Sequence, residues 1–276
     1  MKTDPTPRPA KPRRESAPSR PSSRYRRELE TAEAAARAAG RHLLDGSRKL
    51  PAVELKGDRS PVTRLDRESE AILSRLLLDA FPSDGLLGEE CGEVAGSSGR
   101  RWIVDPLDGT RPFLRGIPTY SVLVALEEAG EMVVGCMFFP VSGECYTAAK
   151  GRGAFRDGRR IRVSRTPSLD RAMLAGLGPR TGGGKTAANL RKLLDAADYA
   201  YGFMDAYSYA LVASGRLDAV VSTSDKPWDC AAAACIVREA GGRFSDLSGA
   251  PDVHTGVSVA SNGLLHEALL RHLKGS

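Results

Sequence analysis

Three acidic segments hold the residues of this chain that are best suited to chemistry. They are Gly88-Glu89-Glu90, Asp105-Pro106-Leu107-Asp108-Gly109-Thr110 and Pro227-Trp228-Asp229. Oxygen ligands without histidine or cysteine favour Mg²⁺ or Mn²⁺ over zinc. Several carboxylates that converge in one place repel each other unless cations neutralise them, so the segments together predict two or three metal ions.

The middle segment can supply both metal ligands and phosphate donors. The proline after Asp105 blocks the preceding strand and forces a turn. Asp105 and Asp108 can then converge, with the carbonyl of Leu107 between them. Gly109 lets the backbone approach a ligand closely. A helical turn that starts at Thr110 would point the amides of Gly109 and Thr110 at an anion.

Each segment alone has an ordinary explanation. Asp-x-x-Asp-Gly is a common turn, and a Glu-Glu pair usually lies in a solvated loop. Asp229 alone is most often a helix N-cap. The metal-site interpretation rests on their joint occurrence, with each segment at the end of a predicted strand or helix.

The elements that must position these residues follow from hydrophobic periodicity. Helices are predicted over 25–44 and after Asp66, and Glu89 is expected on a loop after the second helix. Strands are predicted over 102–104, 121–126 and 132–139, the last two as a hairpin. In the second half, helices near 186–197, 206–214, 229–240 and 263–273 alternate with strands near 172–175, 199–202, 217–222, 242–246 and 257–260. This alternation predicts stacked α/β layers.

The N-terminus differs in composition from the rest of the chain. Residues 1–27 hold nine Lys/Arg and two acids, so the net charge of +6 belongs to this segment. Six of the 17 prolines lie there, and its low apolar content predicts a disordered basic tail over residues 1–24. A nucleic-acid or anionic-surface contact and a transit peptide are the alternatives. The remainder divides into an N-terminal α+β lobe with the metal site (25–163) and a C-terminal α/β lobe (164–276).

Several classes of protein are disfavoured by composition. No apolar run reaches the ~18 residues of a membrane span, and the N-terminus has no apolar signal region. The five cysteines contain no CxxC pair, and their odd number argues against a disulfide framework. As buried small hydrophobes they fit a reducing cytoplasm. Scattered histidines argue against zinc.

These motifs resemble those of the inositol monophosphatase superfamily across nearly all of residues 25–273. The resemblance is carried by Pro61-Val62-Thr63-x-x-Asp66, Gly88-Glu89-Glu90, Trp102-Ile103-Val104-Asp105-Pro106-Leu107-Asp108-Gly109-Thr110, Lys226-Pro227-Trp228-Asp229 and Glu239-Ala240-Gly241-Gly242. It implies a layered α-β-α-β-α fold, usually as a homodimer. It also implies Mg²⁺-dependent hydrolysis of a small phosphomonoester by metal-activated water.

The resemblance assigns roles to individual residues. The metal ligands would be Glu89, Asp105, the carbonyl of Leu107, Asp108 and Asp229. Asp105 would bridge two ions, and Glu89 also counts among the catalytic groups. Asp66 and Thr110 would orient the attacking water. The amides of Gly109 and Thr110 would hold the phosphate.

The substrate is suggested by the remaining motifs. Thr110-Arg111-x-Phe113 and the stretch that begins at Asp205 resemble histidinol-phosphate phosphatases. The alternatives are an inositol-1-monophosphatase, a 3'(2'),5'-bisphosphate nucleotidase and a non-catalytic member. Asp205 would face the leaving group, where a carboxylate suits a cationic amine; otherwise it caps the following helix. Ser222 stands where the family commonly has a glutamate that contacts substrate.

Overall fold

The computed structural model describes residues 24–48, 52–178, 185–202 and 204–275. The predicted basic tail therefore lies outside the described residues except for Arg24. The guanidinium of Arg24 lies 2.9 Å from the carboxylate of Glu128. The proposed lobe boundary between residues 163 and 164 stays a prediction.

The elements alternate along the chain much as the periodicity indicated. The helices are α1 (Arg26–Gly46), α2 (Arg64–Ala80), α3 (Thr110–Leu114), α4 (Lys185–Asp195), α5 (Asp205–Ala213), α6 (Pro227–Glu239) and α7 (His266–Lys274). The strands are β1 (Val53–Leu55), β2 (Pro61–Thr63), β3 (Gly85–Gly88), β4 (Gly92–Val94), β5 (Arg100–Asp108), β6 (Ser121–Glu128), β7 (Glu131–Phe138), β8 (Cys145–Ala149), β9 (Gly153–Arg156), β10 (Arg159–Ile161), β11 (Met173–Leu177), β12 (Tyr199–Tyr201), β13 (Ala219–Ser222), β14 (Arg243–Ser245) and β15 (Ser258–Ser261).

An eight-stranded sheet forms the larger layer, in the order β10-β9-β8-β7-β6-β5-β3-β4. Its pairs are antiparallel except for β3 with β5. Because side chains alternate across a strand, β5 buries Trp102 and Val104 against α1 and α2. Ile103, on the other face, packs with the apolar residues of α5 and α6. Strand β5 is therefore covered by helices on both faces.

A five-stranded sheet, in the order β12-β11-β13-β15-β14, forms the smaller layer. Helices α5 and α6 fill the space between the two sheets, where alanines 231–234 are all buried. Helices α4 and α7 cover the outer face of the smaller sheet through Leu190, Leu193 and Leu269. The order of layers is thus α-β-α-β-α, which confirms the predicted fold class. Among the described helices, none is both long and apolar enough to cross a bilayer.

Three local expectations were wrong. Strand β5 does not end before the proline but continues to Asp108, and the extra residues are taken up by a bulge opposite β6. Glu89 follows the short strand β3 rather than a helix. Of the five cysteines, Cys91 is exposed and only the other four are buried.

Candidate active site

Three carboxylates, two buried and one partly buried, meet where the end of β5 approaches the start of α6. Asp105 and Asp108 lie at the end of β5, and Asp229 lies in the first turn of α6. One oxygen from each is within 4.8 Å of the others. The bulge orients the first of them, because the amide of Leu107 donates to Oδ1 of Asp105 at 2.9 Å. The structure therefore brings together three of the predicted metal ligands.

The electrostatics of this group favour a bound cation. Burial raises the pKa of Asp105 well above its usual value, and the charges of Glu89 and Asp108 raise it further. The pKa of Asp108 is raised by burial and then by Asp205, and that of Asp229 by burial and then by Asp225. Carboxylates that oppose each other's ionisation in this way are stabilised by a metal ion.

Glu89 lies near these carboxylates but is paired with a lysine. Nζ of Lys56, which follows β1, lies 2.7 Å from Glu89 and 2.5 Å from Glu90. Glu89 is not one of the three carboxylates whose oxygens converge within the described residues. Its charge nevertheless contributes to the raised pKa of Asp105, so it lies close to the group.

A buried glutamate, Glu70, holds the turn that carries Glu89. Oε2 of Glu70, on α2, accepts from the amide of Glu90 at 2.9 Å, and its Oε1 accepts from the amide of Cys91. Gly88 makes this approach possible, because a Cβ there would lie 2.6 Å from Oε2 of Glu70. The glycine before Glu89 is thus required by packing against α2.

The predicted Thr110–Asp66 pair is close in space. Oγ1 of Thr110 lies 3.3 Å from Oδ1 of Asp66 and 3.2 Å from the carbonyl oxygen of Leu107. Asp66 is buried at the start of α2, where its Oδ2 accepts from the amide and the hydroxyl of Thr63 at 2.9 and 2.6 Å. Burial raises the pKa of Asp66, while the hydrogen bonds from Thr63 oppose that shift.

Gly109 begins the helical turn that was expected at Thr110. Its φ of 80° is left-handed, a conformation that glycine adopts without strain. It precedes α3, so the amides of Gly109 and Thr110 lie at the start of a helix, where N–H groups have no acceptor within the helix. A Cβ at Gly109 would lie 3.1 Å from Oδ2 of Asp205.

Asp205 does not cap α5. It is the first residue of that helix, and the N-cap position, Met204, has no side-chain cap. The amide of Ala206 instead donates to Oδ2 of Asp108 at 3.1 Å. Oδ2 of Asp205 is buried without a hydrogen-bond partner in the described part of the chain. Burial, and then the charge of Asp225, raise the pKa of Asp205.

Ser222 is beside the site, but its hydroxyl is engaged. It donates to Oδ1 of Asp225, a residue that the sequence analysis did not identify. Oδ2 of the same carboxylate accepts from Tyr209 and from Ser258. Ser222 therefore holds a carboxylate that faces the cavity.

A cavity of about 250 Å³ lies between the three acidic segments and the start of α5. Its lining includes six carboxylates, from Glu89, Asp105, Asp108, Asp205, Asp225 and Asp229. Leu107, Gly109, Thr110 and Ser222 also line it. No lysine, arginine or histidine is among the lining residues in the ranges that the structure describes.

The donor set fits magnesium. All the nearby side-chain donors are hard oxygens, and the carboxylates are buried or partly buried, clustered and mutually repulsive. Such a set suits Mg²⁺ better than zinc or copper. Whether Asp105, Asp108, Asp229, Glu89 and the carbonyl of Leu107 ligate it stays a prediction.

Sequence reasoning missed Lys56, Glu70, Tyr209 and Asp225. Lys56 and Glu70 have no motif, because they act on the Glu89 turn from distant parts of the chain. Asp225 had a weak signal: it is the acid that ends the polar run Ser222-Thr223-Ser224-Asp225, just before Lys226-Pro227-Trp228-Asp229.

Comparison with known proteins agrees with this architecture. Over 242 residues the chain is 38% identical to a histidinol-phosphatase of Chlorobaculum parvum, covering 85% of this chain and 91% of that protein. Over 229 residues it is 41% identical to an inositol-1-monophosphatase of Mesorhizobium japonicum, covering 80% and 86%. The names of these two relatives differ in substrate.

The fold and the family are supported by two further matches. The crystal structure of the extragenic suppressor protein suhB from Bartonella henselae superimposes with a TM-score of 0.84 at 36% identity, covering 90% of this chain and 98% of that one. The sequence pattern of the inositol monophosphatase family matches residues 25–276. The chain therefore belongs to the inositol monophosphatase family and is a phosphatase of that family.

Proposed function

We propose that this phosphatase hydrolyses a small phosphomonoester with Mg²⁺, and that its substrate is histidinol phosphate. The observation that carries the substrate assignment is Asp205, which lines the cavity and whose Oδ2 has no hydrogen-bond partner among the described residues. A buried carboxylate oxygen without a partner is costly, and a bound ammonium would satisfy it. Inositol phosphate has no positive charge to offer that oxygen. An inositol-1-monophosphatase remains the second candidate, because a relative of comparable identity has that name.

Different residues of the chain would bind the metal ions, orient the attacking water and bind the phosphate. Asp105, Asp108, Asp229 and Glu89 would hold two or three Mg²⁺ ions, with the carbonyl of Leu107. Bound Mg²⁺ supplies a water of lowered pKa and neutralises charge on the phosphate and the leaving oxygen. The Thr110 hydroxyl, with Asp66 beside it, would orient the attacking water. The amides of Gly109 and Thr110 would hold the phosphate oxygens.

The charge of the cavity supports a cationic leaving group. With two Mg²⁺ ions bound rather than three, the ions would balance the four carboxylates of the metal set. The carboxylates of Asp205 and Asp225 would then remain, in a cavity without a basic side chain among its described lining residues. A phosphomonoester with an ammonium on its leaving group reduces that negative charge, whereas a neutral polyol does not.

Phosphate release should be measured for histidinol phosphate and inositol 1-phosphate, each with Mg²⁺ and with EDTA. We expect Mg²⁺-dependent hydrolysis and a higher kcat/KM for histidinol phosphate. Asp205→Asn should lower kcat/KM for histidinol phosphate by about tenfold or more, and for inositol 1-phosphate by less.

Asp252→Asn is the matched control, because Asp252 is also partly buried but lines a different cavity. The Asp252→Asn variant should leave kcat/KM unchanged for both histidinol phosphate and inositol 1-phosphate. Full activity in EDTA would refute the metal mechanism. A wild-type preference for inositol 1-phosphate, or an equal loss on both substrates in Asp205→Asn, would favour the second candidate.

We further propose that the enzyme is a cytoplasmic homodimer. Five free cysteines, four of them buried, support a reducing compartment. The homodimer rests on the family resemblance. Light scattering coupled to size-exclusion chromatography would test it, and a mass near that of one 29.5 kDa chain would contradict it.

A further inference from the structure

Asp225 is a buried carboxylate in the cavity that the proposed metal site does not use. It is 9% exposed and lies four residues before Asp229. Hydroxyls of Ser222, Tyr209 and Ser258 donate to its two oxygens. These residues come from β13, α5 and β15, so three separate elements supply the donors.

Hydroxyl donors fix this carboxylate without neutralising it. A lysine or arginine partner would cancel its charge, but three neutral O–H groups only orient and stabilise the ionised form. Burial acts in the other direction and raises the pKa of Asp225. Three of the roughly four acceptor positions of the carboxylate are filled, which leaves capacity for one more donor.

Asp225 and Asp205 are close enough to interact, since the charge of Asp225 raises the pKa of Asp205. Both line the same cavity. One oxygen of Asp205 has no hydrogen-bond partner among the described residues. The carboxylate of Asp225 is held in place by hydroxyl groups and can accept one more hydrogen bond. Two separate carboxylates in one small cavity can bind two separate nitrogen donors of a ligand.

We infer that Asp225 is a specificity-determining residue, and that with Asp205 it selects a phosphomonoester whose leaving group carries two nitrogen donors. Asp205 binds one cationic nitrogen of the leaving group, and Asp225 binds the second nitrogen donor. Ser222 is a positioning residue that acts through Asp225. This inference rests on the proposed function, which requires only that one nitrogen bind Asp205.

The test compares two substrates that differ in the second nitrogen. Histidinol phosphate carries an amine and an imidazole, whereas 2-aminoethyl phosphate carries an amine alone. In Asp225→Asn, the ratio of kcat/KM for histidinol phosphate to that for 2-aminoethyl phosphate should fall about tenfold or more. The loss should lie mainly in KM, because the second nitrogen is remote from the phosphorus. Ser222→Ala should lower the same ratio by a smaller factor.

Asp246→Asn is the matched control for losing a hydrogen-bonded buried aspartate. Asp246 accepts from Ser248, Gly249 and Ala250, outside the cavity. The ratio should not change in this variant. Thermal unfolding will show whether Asp225→Asn is stable enough to assay. If it is not, the inference is tested with Ser222→Ala alone, and an unchanged ratio of kcat/KM for the two substrates in that variant overturns it.

Other outcomes separate the inference from the proposed function. An equal loss on both substrates in Asp225→Asn would make Asp225 a structural residue. A large rise in the Mg²⁺ concentration for half-maximal activity would make it part of the metal site. Either result overturns the inference while leaving the phosphatase function intact. Absence of histidinol phosphate hydrolysis by the wild type would instead refute the proposed substrate.

Discussion

The hydroxyl of Thr110 lies 3.3 Å from Oδ1 of Asp66 and 3.2 Å from the carbonyl oxygen of Leu107. A hydroxyl has one proton to donate, so it can satisfy only one of these acceptors at a time. Its lone pairs remain able to accept from a water. Asp66 is itself held by Thr63, so the pair joins the start of α2 to the start of α3.

Removing the Thr110 hydroxyl should slow the chemical step. We expect Thr110→Val, which keeps the shape of the side chain, to lower kcat by about a hundredfold because the attacking water is poorly oriented. Thr110→Ser keeps the hydroxyl and should retain most of the activity. Steady-state kinetics with saturating Mg²⁺ would measure both. Equal activity of the valine and serine variants would contradict the role of the hydroxyl.

Asp105→Asn should separate activity from stability. We expect kcat to fall by about a thousandfold or more, because a proposed metal ligand would be lost. In EDTA, however, the variant should be at least as stable as the wild type, since one of several repelling buried carboxylates has become neutral. Phosphate release and thermal unfolding with EDTA would test this pair of results. A large decrease in the melting temperature of the metal-free variant would show that the Asp105 charge is needed for folding.

Lys56 should influence how tightly Mg²⁺ binds. Its ammonium bridges Glu89 and Glu90, so it would compete with a metal ion for Glu89 if that residue is a ligand as proposed. We expect Lys56→Gln to lower the Mg²⁺ concentration for half-maximal activity several-fold, because a repelling charge has been removed. The metal-free variant should also be less stable, since the two glutamates lose their shared partner.

The control for this prediction is Lys150→Gln. Lys150 pairs with Glu131 on the surface, away from the cavity. That variant should leave the Mg²⁺ requirement unchanged. An increased Mg²⁺ requirement in Lys56→Gln would mean that the lysine holds Glu89 in place for the metal rather than competing with it.

The metal-ligand candidates could be predicted from sequence because each belongs to a short motif at the end of an element. Asp105 and Asp108 are neighbours along the chain, and Asp229 follows a helix-initiating proline. Local chemistry therefore indicates where these carboxylates lie. The layered fold could be predicted for a similar reason, since helical and strand periods alternate clearly in the second half.

The errors and omissions arise from contacts between distant residues. Strand β5 continues past its proline because the bulge is supported from α2, where Ser69 donates to the carbonyl of Pro106 at 3.1 Å. The carboxylate of Asp225 accepts hydrogen bonds from Tyr209 and Ser258, which are 16 and 33 residues away along the chain. Periodicity reports which face of an element is buried, but it does not report which distant polar groups meet there.

A buried histidine lies outside the active site. His266 is buried at the start of α7, where Nε2 lies 2.8 Å from the hydroxyl of Ser245 and Nδ1 lies 2.9 Å from that of Ser261. Burial, and then the charge of Arg243, lower the pKa of His266 from 6.5 to about 4. Between pH 4 and pH 6.5, this histidine therefore binds a proton more readily in the unfolded chain than in the folded one.

This shift fixes the sign of the pH dependence. The contribution of neutral His266 to stability is complete above pH 6.5 and is lost as the pH falls toward 4, by up to about 3 kcal/mol. Urea unfolding of His266→Gln between pH 7 and pH 4.5 should show a weaker loss of stability than the wild type. His272→Gln is the control, because His272 is exposed, and it should retain the wild-type pH dependence. If His266→Gln lost stability as steeply as the wild type, the acid sensitivity would have to come from the carboxylates instead.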